Sequence, residues 1–150
     1  MKKIMLIAAA ALLVLSSCAS FIHMQDTNTV NSFTDLINTG KTDKLVKMSK
    51  TPFLLDQEII VLTRDIKTLW RNIIKAGYKI KEPQFKNGEP VNENTYLEFY
   101  NSMEVKTFFK KYVKKGSRVI QFKTGNGKRI ILLVEPSFFG RNIRGFKGPY

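Results

Sequence analysis

Few residues of this 150-residue chain have side chains suited to nucleophilic, acid–base or metal chemistry. Cys18 is the only cysteine and His23 the only histidine, although histidine is the usual proton-transfer group near neutral pH. His23 stands in a segment that we expect to be a solvated linker. No cluster of histidine, cysteine and carboxylate residues has metal-ligand spacing, and "TGNGK" lacks the spacing of a phosphate-binding P-loop. The sequence therefore predicts no metal and no cofactor.

Carboxylates and tyrosines are the remaining residue types from which a buried catalytic site could be built. The available residues are Asp56, Asp65, Glu98, Tyr78, Tyr96 and Tyr100. Asp65 is better explained as favourable charge in the first turn of a helix, and Asp56 as turn chemistry. We therefore expect the protein not to be an enzyme. The alternative is a small-ligand or catalytic pocket, for which Trp70 and Tyr78 are the candidate lining residues, although aromatic side chains at helical spacing more often form core.

The residues before Cys18 have the layout of a secretory signal peptide. Lys2 and Lys3 precede the apolar run "IMLIAAAALLVL" at residues 4–15, and the small residues Ser16 and Ser17 follow it. At 1.5 Å per residue, these 12 residues cover only about 18 Å as a helix. The hydrocarbon core of a bilayer is about 30 Å thick, so the run is too short for a permanent transmembrane helix.

Leu15-Ser16-Ser17-Cys18 resembles the lipobox of bacterial lipoproteins. In that family the signal is cut before the cysteine, whose thiol carries a diacylglyceryl group and whose new amine is usually acylated. The resemblance implies a signal peptide at residues 1–17, a lipidated tether at residues 18–27 and a membrane-anchored exported protein. Ala19 after the cysteine implies outer-membrane sorting, on the periplasmic or surface face, in a cell with two membranes. The competing interpretations are weaker, since a disulfide has no second cysteine within the chain.

Positive charge is concentrated in the last third of the chain. Residues 101–150 hold twelve lysines and arginines against two glutamates, whereas residues 18–100 hold eleven basic and ten acidic residues. Five lysines are expected on the polar side of the helix predicted at residues 102–115: Lys106, Lys110, Lys111, Lys114 and Lys115. They could form a plain solvated face, or they could bind anionic lipid headgroups and envelope polymers. Nucleic acid is not an expected partner, because no recognised base-reading motif is present.

Hydrophobic periodicity predicts helices, strands and turns along the rest of the chain. The clearest helices are expected at residues 65–76 and 102–115, the second with a capping box of Asn101 and Glu104. Shorter helices are expected at residues 28–38 and from Thr42 onward. The segment "FLLDQEIIVL" predicts a strand with a bend or hairpin tip at residues 56–58. Residues 78–80 could begin a strand, residues 81–94 are expected to form a loop or ragged hairpin, and "SRVIQFK", "KRIILLVE" and "NIRGFKG" predict the closing strands.

These elements predict an α+β domain, with helices packed on a curved antiparallel sheet. The arrangement resembles the NTF2-like, cystatin-related cone fold. The residues that carry this resemblance are Ser49-Lys50-Thr51-Pro52-Phe53, the helix of Trp70, and Ile143-Arg144-Gly145-Phe146. The helix at residues 102–115 departs from the simplest version of that fold. The resemblance implies one NTF2-like domain over residues 28–150, in a superfold whose members bind ligands, catalyse reactions or serve as accessory domains.

Taken together, these features predict a lipid-anchored envelope protein that binds or scaffolds without catalysis. Its expected partners are membrane lipid, through acylated Cys18, and either anionic envelope polymers or another envelope protein. A small-ligand or enzymatic domain with a pocket inside the cone is the alternative function.

Overall fold

The structure is a computed structural model that describes the backbone of residues 2–138 and 140–150 and the side chains of residues 19–138 and 140–150. The helices are α1 (Lys2–Asn38), α2 (Thr42–Met48), α3 (Thr63–Lys75) and α4 (Met103–Tyr112), with a 3₁₀ helix at Thr95–Glu98. The strands are β1 (Ser49–Leu55), β2 (Glu58–Ile60), β3 (Gln84–Pro90), β4 (Arg118–Lys123), β5 (Arg129–Ser137) and β6 (Gly140–Lys147).

The signal-peptide and lipidation predictions concern residues 1–18, whose side chains lie outside the described residues. Over residues 19–138 and 140–150, no helix has the length and apolar character needed to cross a membrane.

The six strands form one open sheet in the order β2-β1-β6-β5-β4-β3. Four of the neighbouring pairs are antiparallel, but β1 and β6 run parallel. The prediction of a wholly antiparallel sheet is therefore wrong, because the sheet is mixed. Parallel neighbours need a long crossover connection, and here the whole chain between β1 and β6 provides it.

Both faces of the sheet are covered, as the alternation along β5 shows. Ile130, Leu132 and Val134 pack in one apolar cluster with residues of α1, α2 and α3. Ile131 and Leu133 point to the opposite face and join a second cluster with residues of α4 and the end of the 3₁₀ helix. The α+β class predicted from the sequence is confirmed. The run of consecutive apolar residues in β5 follows from this burial on two sides.

The two long predicted helices are present, with changes at the ends of α4. Ile66 and Trp70 are the buried residues of α3, and Val105 and Phe108 those of α4. The α4 helix ends at Tyr112 because Val113 adopts an extended conformation with φ −82° and ψ 123°. The N-terminal cap is Ser102 rather than Asn101, since the Ser102 hydroxyl accepts a hydrogen bond of 3.2 Å from the Val105 N–H. The prediction of a helix to residue 115 is thus wrong at its last turn.

The segments that the sequence left ambiguous are resolved as follows. Asp56 and Gln57 form the tight turn of a β1–β2 hairpin, and Asp56 has a positive φ of 51°. Residues 78–80 are not in a strand. Residues 84–90 form β3 and pair with β4, so this stretch is not a loop. The predicted β4–β5 hairpin and the final strand are confirmed.

Residues 19–27, which were predicted to be a tether, belong to α1 and touch the domain. The ring of His23 meets the Phe85 ring edge-on, with 4.8 Å between the ring centres. Asp26 is only 1% exposed. This part of α1 is therefore packed on the sheet, which brings a carboxylate from the N-terminal region into the interior.

Candidate functional site

The five predicted lysines are all exposed, but they do not share one helix. Lys106, Lys110 and Lys111 project from α4, whereas Lys114 and Lys115 follow it in the turn before β4. The Lys106 ammonium lies 5.6 Å from the centre of the Tyr96 ring, and that of Lys111 lies 5.3 Å from the Tyr112 ring. We call these five residues the lysine surface. Its charges are accessible to an anionic partner. They lie on the solvent side of α4 and of the turn that follows it.

Trp70 fills the interior of the domain instead of lining an open pocket. It is fully buried, and its ring lies 5.7–5.9 Å from those of Phe33, Phe53 and Phe146. Its indole N–H donates a hydrogen bond of 2.9 Å to the Ser49 hydroxyl. The space between the helices and the sheet is thus packed around this ring, which is the behaviour of a core residue.

Tyr78, the second predicted pocket residue, does border a cleft. This cleft has a volume of about 490 Å³ and is lined by Tyr78, Lys79, Lys81, Glu82, Thr124, Gly125, Asn126, Lys128 and Pro149. The Tyr78 hydroxyl is buried without a hydrogen-bond partner among the described residues. Burial raises the pKa of Tyr78 above its ordinary value, so the phenol stays protonated at neutral pH. Trp70 and Tyr78 therefore do not share one pocket wall.

The predicted carboxylates are exposed and dispersed. Asp56 lies in a turn and accepts a hydrogen bond of 3.1 Å from the Gly148 N–H. Asp65 lies in the first turn of α3, 3.4 Å from the Arg64 guanidinium. Glu98 accepts a bond of 3.2 Å from the Gln121 side chain. All three carboxylates are therefore in contact with solvent and are not enclosed in the interior of the domain.

A cluster of largely buried charges lies where α1 crosses the ends of β3, β4 and β6. Arg118 donates from Nε and Nη2 to Asp26, at 3.1 and 2.9 Å from Oδ2. Arg141 donates from Nη1 to the other oxygen, Oδ1, of the same carboxylate. Arg118 also donates to the Gly88 carbonyl oxygen. We call Asp26, Arg118 and Arg141 the arginine centre.

Gly88 permits the close approach of the arginine centre to β3. A Cβ atom at this position would collide with the Asp26 carboxylate. The backbone of β3 therefore serves as one wall of the centre and supplies a carbonyl acceptor.

An open cleft of about 490 Å³ lies beside the arginine centre. Its lining includes both arginines with Ile22, Gln25, Ser117, Glu135 and Ser137. The Arg141 Nη2 group donates a hydrogen bond of 3.3 Å to the Gln25 side-chain oxygen. Ser117 is 2% exposed, and its hydroxyl has no hydrogen-bond partner among the described residues. A buried hydroxyl of this kind is an available donor beside two guanidinium groups.

Glu135 forms a second buried ion pair that is complete in itself. Arg144 donates to its two oxygens from Nε and Nη2, at 2.7 and 2.9 Å. The remaining nitrogen, Nη1, donates to the carbonyl oxygens of Thr51 and Pro52 at 2.8 and 3.1 Å. This pair therefore fastens β6 to β1, the one parallel junction of the sheet. Each charge of this pair has a full partner, whereas the two guanidinium groups of the arginine centre share one carboxylate.

The arginine centre was missed by the sequence analysis, although the chain carries a signal for it. Asp26 precedes Val30 and Phe33 by four and seven residues, which places it on the buried stripe of α1. Arg118 alternates with Ile120 and Phe122 in β4, which places it on the inner face of the sheet. Two residues of opposite charge that both occupy inward-facing positions indicate a buried ion pair. The prediction needed a comparison of the buried charge on α1 with the buried charge on β4, and the pattern within either segment does not make that comparison.

Fold and site together define an α+β domain with an arginine centre beside an open cleft. Among residues 19–138 and 140–150, no group of three or more histidine, cysteine or carboxylate residues could hold a metal ion. No protein-family model matches the chain, and no curated protein matches it.

Proposed function

We propose that the protein is a lipid-anchored bacterial envelope protein whose domain binds anionic envelope components without catalysis. The observation that carries the proposal is Leu15-Ser16-Ser17-Cys18 directly after the apolar run of residues 4–15. The lysine surface supports the second half, because its five ammonium groups are exposed. The expected location is the outer membrane of a two-membrane cell, on its periplasmic or surface face.

We infer further that the domain is an NTF2-like variant. The packing of α1, α2 and the Trp70 helix on one face of the sheet supports this assignment. The layer of α4 on the other face and the parallel β1–β6 pair are departures from the simple curved antiparallel cone. Superposition of an experimental structure on solved NTF2-like domains would test the assignment, and a different strand order would reject it.

Replacing Cys18 with alanine is expected to abolish lipid attachment. The thiol is the atom that would carry the diacylglyceryl group, and the chain has no other cysteine. In cells fed radiolabelled fatty acid, the wild type should be labelled and the variant should not, and the variant should accumulate as uncleaved or soluble exported protein. Ser17→Ala is the matched control, because a small residue remains before the cysteine and labelling should persist. Equal labelling of Cys18→Ala would rule out this anchor.

Reversing four charges of the lysine surface is expected to weaken polyanion binding by roughly a hundredfold or more, because each basic residue near an anionic surface contributes about 1 kcal/mol. The variant is Lys110→Glu, Lys111→Glu, Lys114→Glu and Lys115→Glu in the full chain, purified in nonionic detergent. Binding to immobilised heparin, a sulfated polyanion, is measured as the salt concentration needed for elution. Wild-type binding should weaken steeply with salt, since charges are screened over about 8 Å at physiological ionic strength.

The matched control reverses four exposed lysines elsewhere: Lys44, Lys50, Lys81 and Lys86. This control has the same net charge, so it separates a localised surface from a general effect of charge. Unchanged circular dichroism is expected for both variants, since all of the reversed lysines are exposed. If both variants elute at the same salt concentration, the lysine surface is only a solvated face.

A further inference from the structure

The arginine centre contains two guanidinium groups but only one carboxylate, so its positive charge exceeds its negative charge. Arg144 has Glu135 as a bidentate partner, but Arg118 and Arg141 must share Asp26. The side chains of these two arginines are only 16% and 10% exposed. One of the two guanidinium charges is therefore largely buried without an anionic partner in this group of side chains.

Such an arrangement is costly unless a further anion completes it. Removing a charge from water is unfavourable when no opposite charge and no hydrogen bonds replace the solvent. The bonds of Arg118 to Asp26 and Gly88 use Nε and Nη2, which leaves the donors on Nη1 for another acceptor. Those of Arg141 use Nη1 and Nη2, which leaves its Nε–H. Arginine is well suited to phosphate, because its planar donors match the spacing of phosphate oxygens.

The cleft beside the centre supplies the space and a further donor for that anion. Arg118, Arg141 and Ser117 all line it. The buried Ser117 hydroxyl lacks a partner among the described residues, which is unusual because buried polar atoms are normally hydrogen-bonded. An uncompensated guanidinium charge and an unsatisfied hydroxyl in the same wall are two independent observations that point to an anionic ligand.

The border of the cleft indicates the chemical source of the anion. Ile22 lines the cleft, and its neighbours Phe21 and Met24 on α1 are exposed, at 54% and 50%. These apolar side chains lie a few residues after Cys18 in the sequence. A ligand with a charged head and an apolar body would place its head against the guanidinium groups and its chains along this part of α1.

We propose that the cleft binds a phosphate group through Arg118, Arg141 and Ser117, with a phospholipid headgroup as the favoured source and free phosphate as the other. The site uses none of the residues of the lysine surface, so it and the proposed polyanion binding can fail separately. A bound headgroup would also hold the domain in a defined orientation on the membrane, next to the anchoring end of the chain.

Titration calorimetry of the full chain in nonionic detergent tests the proposal with two probes. One is inorganic phosphate, added at constant ionic strength against chloride. The other is nonionic micelles doped with phosphatidylglycerol, measured in the background of the four lysine reversals so that the lysine surface does not contribute. Saturable binding of both probes indicates a general phosphate site, and binding of the doped micelles alone indicates a lipid headgroup. No saturable binding of either probe to the wild type or to the reversal background would overturn the proposal.

Variants of the centre separate binding from a purely structural role. Arg141→Gln is expected to weaken phosphate binding about tenfold or more, since it removes a charge-assisted donor. Asp26→Asn should strengthen binding, because the competing carboxylate charge is gone and both guanidinium groups remain. If the centre serves folding alone, Asp26→Asn should produce no gain in phosphate affinity. If Arg141→Gln does not fold, Ser117→Ala provides the binding variant, with a smaller loss expected, and unchanged affinity in the folded variants would overturn the proposal.

Discussion

Replacing Asp26 with alanine is expected to lower the free energy of unfolding by about 3–5 kcal/mol, the range measured when one partner of a buried ion pair is removed. The substitution leaves Arg118 and Arg141, both largely buried, facing each other without the carboxylate that they share. Their mutual repulsion and the loss of their acceptors act in the same direction. Urea unfolding followed by circular dichroism measures the change as a lower midpoint at an unchanged slope.

Asp35→Ala is the matched control for this prediction. Asp35 lies on the same helix but is exposed, so its removal should change the unfolding free energy by no more than about 0.5 kcal/mol. Adding phosphate should recover part of the stability of Asp26→Ala if the arginine centre binds it, because a ligand of the folded state stabilises that state. Equal losses for the two substitutions would mean that the Asp26 pairs contribute nothing beyond surface charge.

Trp70→Ala is expected to cost about 3–5 kcal/mol of unfolding free energy, because it removes the largest buried side chain of the core and leaves a cavity that the surrounding rings can only partly close. Phe33, Phe53 and Phe146 would each lose their contact with the indole ring. Urea unfolding followed by circular dichroism again provides the measurement. A loss below about 1 kcal/mol would indicate that Trp70 borders an accessible pocket, as the alternative interpretation of the sequence suggested.

The wild-type protein offers an independent check on the same point. Trp70 is the only tryptophan of the chain, so its fluorescence reports on this site alone. Burial among aromatic rings predicts emission at short wavelength and little quenching by iodide. Tyr100→Ala is a suitable control for the truncation, since Tyr100 is an exposed aromatic residue. Strong quenching of the native protein would contradict a filled interior.

The elements that the sequence predicted well are those whose formation depends on neighbours along the chain. The apolar stripe of α3 and the hairpin of β4 and β5 are examples. Apolar residues recur with a period of 3.6 in a helix and of 2 in a strand, and this spacing can be read from consecutive residues. The α4 helix was predicted for the same reason, and its buried residues Val105 and Phe108 are three residues apart. Its end was not, because the extended conformation of Val113 leads into a strand whose position the helix pattern does not contain.

Sheet order and the pairing of buried charges could not be read from local patterns, since they depend on which distant segments become neighbours. The parallel contact of β1 with β6 joins strands from opposite ends of the domain. Asp26 and Arg118 are 92 positions apart in the sequence. The residues around either one do not indicate which distant residue will be its partner. Burial of each is evident from its own periodicity, but only the packing of α1 across β3, β4 and β6 brings them together.

The sequence by itself determined the α+β class, the expectation of lipid attachment at Cys18, and the concentration of positive charge in the last third. These follow from composition and from residues close together in the chain. Only the tertiary structure decided which of the charged residues are solvated and which are buried. The lysines of the lysine surface project into solvent, where screening weakens each charge, whereas Arg118 and Arg141 are enclosed with one carboxylate between them. That difference in desolvation, which no count of charges contains, is the reason why we propose the cleft beside Asp26 as a binding site.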